Sequence, residues 1–290
     1  MKSVAFQQVD VFSSEPYRGN PLAVVLDGSG LSTEQMQGLA RWTNLSETTF
    51  LLPPTQPEAD YRVRIFTTIG ELPFAGHPTL GSCHAWLCAG GKTKTDLVVQ
   101  ECAAGLIRIR RQTEPQGERL AFAAPPLIRS GPVAQAELVR IQQGLGLESG
   151  DVLQAQWCDN GPGWIGLLLR NAQLVLDVVV RAELLKGFKV GLIGAHSPST
   201  QTGVDFEVRA FFPRDGGIFE DPVTGSLNAA FASWLIPAGL ASPSYTVSQG
   251  TQLGRKGRVF VDALADGKVT NYWIGGYSST CIEGSIQLPI

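Results

Sequence analysis

Two stretches of this 290-residue chain set polar, proton-carrying or anion-binding groups among small and apolar residues. The first is Glu71-Leu-Pro-Phe-Ala-Gly76-His77-Pro78, the second Glu220-Asp221-Pro222-Val-Thr-Gly225-Ser226. An uncharged run follows each, so Gly76-His77 and Gly225-Ser226 both read as helix starts, where unpaired backbone N–H groups and the positive end of the helix dipole gather. A carboxylate or a developing enolate would be held well at such a place. His77 is not a favoured cap residue, although a lone histidine serves structure as often as chemistry. Ser226 equally suits a plain helix cap. Asp221 stands where the first stretch has Leu72, an asymmetry that suggests a task; an aspartate before proline is also a common turn former. The remaining odd residue is Glu47 in the apolar strand Leu45–Leu52, read either as functional or as an outward-facing strand carboxylate.

The elements that must position these groups occur twice. Tyr61-Arg-Val-Arg-Ile-Phe66 alternates with the period of a strand, turns through Glu71, and enters a run from Pro78 to Gly91 without a formal charge. Phe206-Glu-Val-Arg-Ala-Phe211, Glu220 and the alanine-rich run Leu227–Leu235 repeat that order, and Glu71, Pro73, Gly76, Val98 and Gln100 fall on Glu220, Pro222, Gly225, Val247 and Gln249 at one common offset. The chain is therefore two copies of one supersecondary unit. A helix apolar on every side is buried on every side, and the simplest enclosure is a sheet curled around it. The fold class expected is α+β, two pseudo-symmetric domains, each a barrel-like sheet around a central helix. Around this unit, Phe6–Phe12 and Leu22–Leu26 read as strands joined by the turn Arg18-Gly19-Asn20-Pro21. Ser32 and Gln35 form a capping box for a helix that ends at Asn44. In the second half a helix is expected from about 136 to 143, with strands at Trp164–Leu169 and Leu174–Val179. Thr113–Glu118 reads as a linker, placing the domains at 1–115 and 116–277 with the tail 278–290 joining the first.

Composition narrows the function classes. Apolar residues make up 43% and charged residues 17%, with a net charge of −3 and no long basic cluster, so nucleic-acid binding is not expected. The five cysteines are odd in number and lack a Cys-x-x-Cys pair, and Cys83 and Cys88 fall in the run expected to be buried; they read as reduced thiols of a cytoplasmic protein. The N-terminus lacks the apolar core of a signal peptide, and no stretch is long enough to span a membrane. His77, His84 and His196 have no metal-ligand spacing, and no phosphate loop or nucleotide fingerprint is present, so no metal and no cofactor are expected.

Together these residues closely resemble the phenazine-biosynthesis PhzF family of isomerases. The matching pieces are Arg18-Gly-Asn20-Pro21, Leu45-Ser-Glu47-Thr-Thr-Phe50, Glu71-Leu-Pro-Phe-Ala-Gly-His77-Pro-Thr79, Asp221-Pro-Val-Thr-Gly-Ser226, and Gln249-Gly250 with Gly254-Arg-Lys-Gly257. The likeness runs from about Val9 to Gly284; Val223 and Leu227 stand where alanines are expected. The resemblance implies the diaminopimelate epimerase-like fold with its active site between the two domains. Epimerases of that fold use a cysteine pair at the two helix starts, whereas here those places hold Gly76-His77 and Asp221 to Ser226, with no cysteine nearby. By resemblance, Glu47 is the general acid/base, His77 and Asp221 are its polar partners, and Asn20, Gly76, Gly225 and Ser226 bind the substrate. In the phenazine pathway that substrate is a dihydro-hydroxyanthranilate. A homodimer is also implied.

The reading is a cofactor-independent isomerase that moves a proton on a small carboxylated, cyclic or amine-bearing metabolite. Two alternatives stand beside it: a non-catalytic metabolite- or protein-binding member of the same fold, and a racemase or epimerase working without a cysteine pair. Retention of Glu47, His77 and Asp221 together favours the enzyme, since a binder needs no general base. Elemental analysis of the purified protein is expected to find no stoichiometric metal; a bound metal whose chelation abolished activity would contradict this reading.

Overall fold

The computed structural model describes residues 1–197, 203–214, 216–267 and 269–288, so the last two residues of the expected tail 278–290 lie outside it. The chain divides into two compact units, Met1–Ala123 with Gly275–Ile290, and Ala124–Ile274.

In the first unit β1 (Lys2–Val11) and β2 (Asn20–Val25) form an antiparallel hairpin, followed by α1 (Thr33–Thr43). β3 (Thr48–Leu52) lies parallel to β2, and β4 (Tyr61–Phe66) antiparallel to β3. After the short β5 (Glu71–Leu72) the chain enters α2 (Gly76–Cys88), returns through β6 (Val98–Cys102) parallel to β4, and closes with β7 (Gly105–Glu114) and β8 (Gly117–Ala123).

The second unit places β9 (Arg129–Pro132) and α3 (Gln135–Leu145) first and then runs the same course. β10 (Val152–Asp159) pairs antiparallel with β11 (Trp164–Leu169); α4 (Ala172–Asp177) and α5 (Ala182–Leu185) lead to β12 (Lys189–Ala195), parallel to β11. β13 (Phe206–Arg214) is antiparallel to β12, β14 (Gly217–Glu220) leads into α6 (Gly225–Leu235), β15 (Ser244–Gln249) lies parallel to β13, and β16 (Gly257–Asp266) antiparallel to β15. The repeat read from the sequence is thus matched pairing for pairing. The last strand, β17 (Val269–Leu288), belongs to the first unit from Gly275 on and pairs with β1.

Each uncharged helix lies against a sheet face. In the first unit Gly81 of α2 comes so close to the sheet that an added Cβ would sit 2.8 Å from Val11 and 2.6 Å from Leu22. Tyr61 of β4 stacks on Trp86 of α2 at 5.1 Å, and Ser82 donates to Thr49. In the second unit Gly191 of β12 leaves room for Leu227, and Gly166 of β11 for Phe231 and Trp234 of α6. Other helices cover the opposite faces: α1 packs Met36 and Ala40 on Phe50 and Phe66, and Ile141, Val175 and Leu185 of α3, α4 and α5 pack on Ile165, Leu167 and Val190. Among the described residues no helix is long and apolar enough to cross a membrane.

Several expectations are corrected. Leu174–Val179 is not a strand: the Asn171 side chain accepts the Leu174 N–H at 2.9 Å and starts α4, a local cap that decides a short apolar run whose period is ambiguous. Thr113–Glu118 is not a linker but the tip of the β7–β8 hairpin. α2 is buried only from Gly76 to Cys83 and at Ala85; its last turn emerges, leaving Cys88 exposed. Glu47 precedes its strand rather than lying within it. Asn44 closes α1 in the left-handed conformation, Leu45 to Glu47 form the connection, and the ladder opens at Thr48 opposite Ala23.

One side-chain pair recurs in both copies with a different burial. Arg64 grips Glu71 through Nε and an Nη, both 2.7 Å, and Arg209 grips Glu220 likewise at 2.9 and 2.8 Å. The first pair is 27% and 33% exposed, the second only 8% and 11%, and Arg209 also donates to the carbonyls of Val175, Leu176 and Val178 at the end of α4. Removing one partner of a buried pair strands the other charge, whereas exposed pairs contribute little. Urea unfolding should therefore show Arg209→Met destabilising by about 3 kcal/mol and Arg64→Met by about 1 kcal/mol or less. Equal losses would refute the difference drawn from burial.

Candidate active site

In the first unit the chain brings Glu47 to His77, with Gly76 next to His77 in α2 and Asn20 next to Pro21, the residue that His77 bonds. It begins with Asp10, a carboxylate almost closed to solvent on β1, whose Oδ2 accepts the backbone N–H groups of Arg18 and Gly19, each at 2.8 Å. Gly19 is required there, since a Cβ would lie 2.1 Å from the Val11 carbonyl oxygen. Phe12 and Tyr17, non-glycine residues with φ of 67° and 68°, flank the turn; such conformations persist only where the surroundings enforce them. The turn delivers Asn20, fully buried, and Pro21 to the start of β2.

Pro21 then orients His77, the second residue of α2. The imidazole hydrogen-bonds the Pro21 backbone, whose one polar group is its carbonyl, so the ring is the donor. Nε2 has no hydrogen-bond partner, which assigns the donated proton to Nδ1. Burial pushes the His77 pKa down to about 3, outweighing the opposing pull of the Pro21 bond, so the ring is neutral near pH 7. Its bare Nε2 lies 3.4 Å from Glu47 Oε2, with the two side chains only 5% and 15% exposed. A bare ring nitrogen at that distance can accept a hydrogen bond from the carboxyl whenever the carboxyl carries a proton. The start of α2 adds backbone donors: its cap position, Ala75, offers no side-chain acceptor to the first-turn N–H groups.

The second unit positions Asp221, Gly225 and Ser226. Gln249 Oε1 accepts the Thr224 backbone N–H at 3.0 Å and an Asn228 N–H at 3.0 Å, which fixes the amide orientation, so Gln249 Nε2 is the group that donates to Thr224 Oγ1 at 2.9 Å. The one hydroxyl proton of Thr224 is then left for Asp221 Oδ2, 2.6 Å away. Gly250, at φ 86°, follows Gln249 so closely against Pro222 that a Cβ would meet its carbonyl oxygen at 2.5 Å. Ser226 is not the helix cap. Thr224 occupies the cap position, and the Ser226 hydroxyl accepts the indole N–H of Trp164 at 3.1 Å while its carbonyl accepts from Asn160.

The supporting residues Asp10, Thr224 and Trp164 escaped the reading of the sequence. Gln249 was visible as the counterpart of Gln100, without a role; Gln100 does the parallel work in the first unit, donating to Thr79 of α2 and accepting from Tyr61. Among the described residues no three His, Cys, Asp or Glu side chains group as a metal site.

The sequence profile of the phenazine biosynthesis-like protein family matches residues 9–284. Antisense-enhancing sequence 1 of Schizosaccharomyces pombe is 37% identical to this chain, with 98% of this chain and 99% of the relative aligned. Trans-2,3-dihydro-3-hydroxyanthranilate isomerase of Pseudomonas aeruginosa is 32% identical, covering 97% and 98%. The crystal structure of a Bacillus anthracis phenazine biosynthesis protein of the PhzF family superposes with a TM-score of 0.82 over 99% of this chain and 100% of that one, at 23% identity, a likeness of fold. The chain thus belongs to the phenazine biosynthesis-like, PhzF family of isomerases.

Proposed function

We propose that this protein is a cofactor-independent isomerase in which Glu47 removes a proton from carbon and returns it to another atom of the same conjugated, carboxylated substrate. The observation that carries the reading is the placement of Glu47 Oε2 3.4 Å from the bare Nε2 of a buried, neutral His77. A general base must hold a proton between its two transfers, and a neutral imidazole nitrogen beside it accepts a hydrogen bond from the carboxyl in that state. The ring has no proton of its own to offer through Nε2, so His77 steadies the protonated carboxyl instead of replacing it as the base. Backbone N–H groups at Gly76 and His77 are suited to the substrate carboxylate or to the enolate that forms as the proton leaves. From the second unit, Asp221 is proposed as a further polar partner, and Gly225 and Ser226 as substrate-binding groups. Thr224 holds Asp221 Oδ2 as an acceptor, which suits a carboxylate that receives a hydrogen bond from a substrate ammonium or hydroxyl group. A small cyclic amino acid, of the kind named in the Pseudomonas aeruginosa relative, is the substrate class proposed.

Trans-2,3-dihydro-3-hydroxyanthranilate is the first compound to assay. Glu47→Gln keeps size and hydrogen bonding but removes the base, so turnover should fall by about 10²- to 10⁴-fold with KM changed little. Wild-type turnover in deuterated water should place deuterium at the position that gains the proton, to the extent that Glu47 exchanges before returning it. If Glu47→Gln turns over within a few-fold of wild type, Glu47 is not the base.

A further inference from the structure

The turn between β10 and β11 holds one buried side chain against the start of α6. Asp159 Oδ1 accepts the N–H groups of Gly161 and Gly163, each at 2.7 Å, which fixes the turn around Asn160. Asn160 is only 9% exposed, and its Nδ2 donates to the Ser226 carbonyl at 2.9 Å. That bond orients the amide, so the atom left over, Oδ1, is an acceptor. It is closed to solvent and, among the described residues, meets no donor. A buried acceptor in that state carries an uncompensated desolvation cost until a donor reaches it. His77 Nε2 at the start of α2 bears the same mark.

The same helix start offers the opposite kind of group. Trp164 Nε1 donates to Ser226 Oγ at 3.1 Å, and among the described residues no acceptor takes the proton of the serine itself. The cap residue Thr224 makes no side-chain bond to the first-turn N–H groups, its hydroxyl proton going to Asp221 instead. Those N–H groups and the Ser226 hydroxyl therefore face a ligand as donors, a setting for a carboxylate. A carboxylate alone leaves Asn160 Oδ1 unmet. A ligand that also carries an N–H group satisfies both kinds, and a site built to bond such a group discriminates against the analogue that lacks it.

We propose that Asn160 is a specificity-determining residue: its Oδ1 accepts a hydrogen bond from the amino group of the substrate, so that amino acids are bound in preference to carboxylates of the same shape without an N–H. This deepens the substrate-binding role proposed for Gly225 and Ser226 and rests on it, but not on Glu47 as the base, because binding at equilibrium needs no turnover. Calorimetric titration of the full-length protein compares anthranilate with 2-methylbenzoate, in which a methyl group of nearly the same size replaces the amino group. Nitrogen-15 labelling of the six tryptophans, with Trp164→Phe to assign the signal, gives a reporter bonded to Ser226. Both ligands should shift the Trp164 indole signal, and wild type should bind anthranilate about tenfold more tightly, the worth of one hydrogen bond to a buried acceptor. In Asn160→Leu, which keeps the volume, and in Asn160→Ala, the two ligands should come within about twofold of each other. Only the ratio is read, so a general loss of affinity from the missing Ser226 bond does not imitate the result. The proposal is overturned if wild type binds both ligands equally, or if either variant, folded by circular dichroism, keeps the tenfold preference. If neither ligand binds wild type or shifts Trp164, the substrate-binding role of Ser226 falls together with that of Asn160.

Discussion

Enclosing an uncharged helix in a sheet is the constraint on which the rest of this molecule depends. α2 and α6 carry no charge from end to end, so each is stable only where a sheet removes it from water, and glycines such as Gly81 and Gly191 let helix and sheet approach. The same burial desolvates whatever side chain starts the helix. At α2 that side chain is His77, and the result is an imidazole that stays neutral well below the ordinary histidine range. The scaffold and the chemistry therefore share one cause: a buried helix start supplies both aligned backbone donors and a nitrogen that resists protonation.

Duplication gives two such starts, and the two copies have diverged in what they hold. In the first unit, Asp10 fixes the turn, the turn fixes Pro21, and the Pro21 carbonyl decides which nitrogen of His77 is bare beside Glu47. In the second, Gln249 fixes the Thr224 hydroxyl, which fixes the side of Asp221 that accepts. Arg209 with Glu220 shows the same divergence in a structural role, having become buried and bonded to the end of α4 while Arg64 with Glu71 stayed near solvent.

The repeat was legible in the sequence because Glu71, Gly76 and Gln100 recur at one spacing, and because two uncharged runs of helical length need a sheet around them to leave water. The candidate residues were legible for the same reason: His77, Asp221 and Glu47 are polar groups where the pattern has none. What could not be read were decisions made by one hydrogen bond. Asn171 turns Leu174–Asp177 into helix, and Asn44 ends α1 so that Glu47 sits before its strand. Trp164 takes the Ser226 hydroxyl away from a capping role. Asp10 carries no signal in the sequence, since its partners are backbone groups eight and nine residues away. Such contacts leave no period in the sequence.

The central claim is that His77 is neutral, protonated at Nδ1, and bare at the nitrogen that faces Glu47. Nitrogen-15 NMR of histidine-labelled protein reads this directly, since protonated and bare ring nitrogens have distinct shifts. The account predicts that from about pH 5 to pH 8, a range across which an ordinary histidine changes charge, the His77 signals stay those of one protonated and one bare nitrogen, with the proton on Nδ1. An imidazolium signature appearing near pH 6 to 7, or a proton on Nε2 throughout, would contradict it.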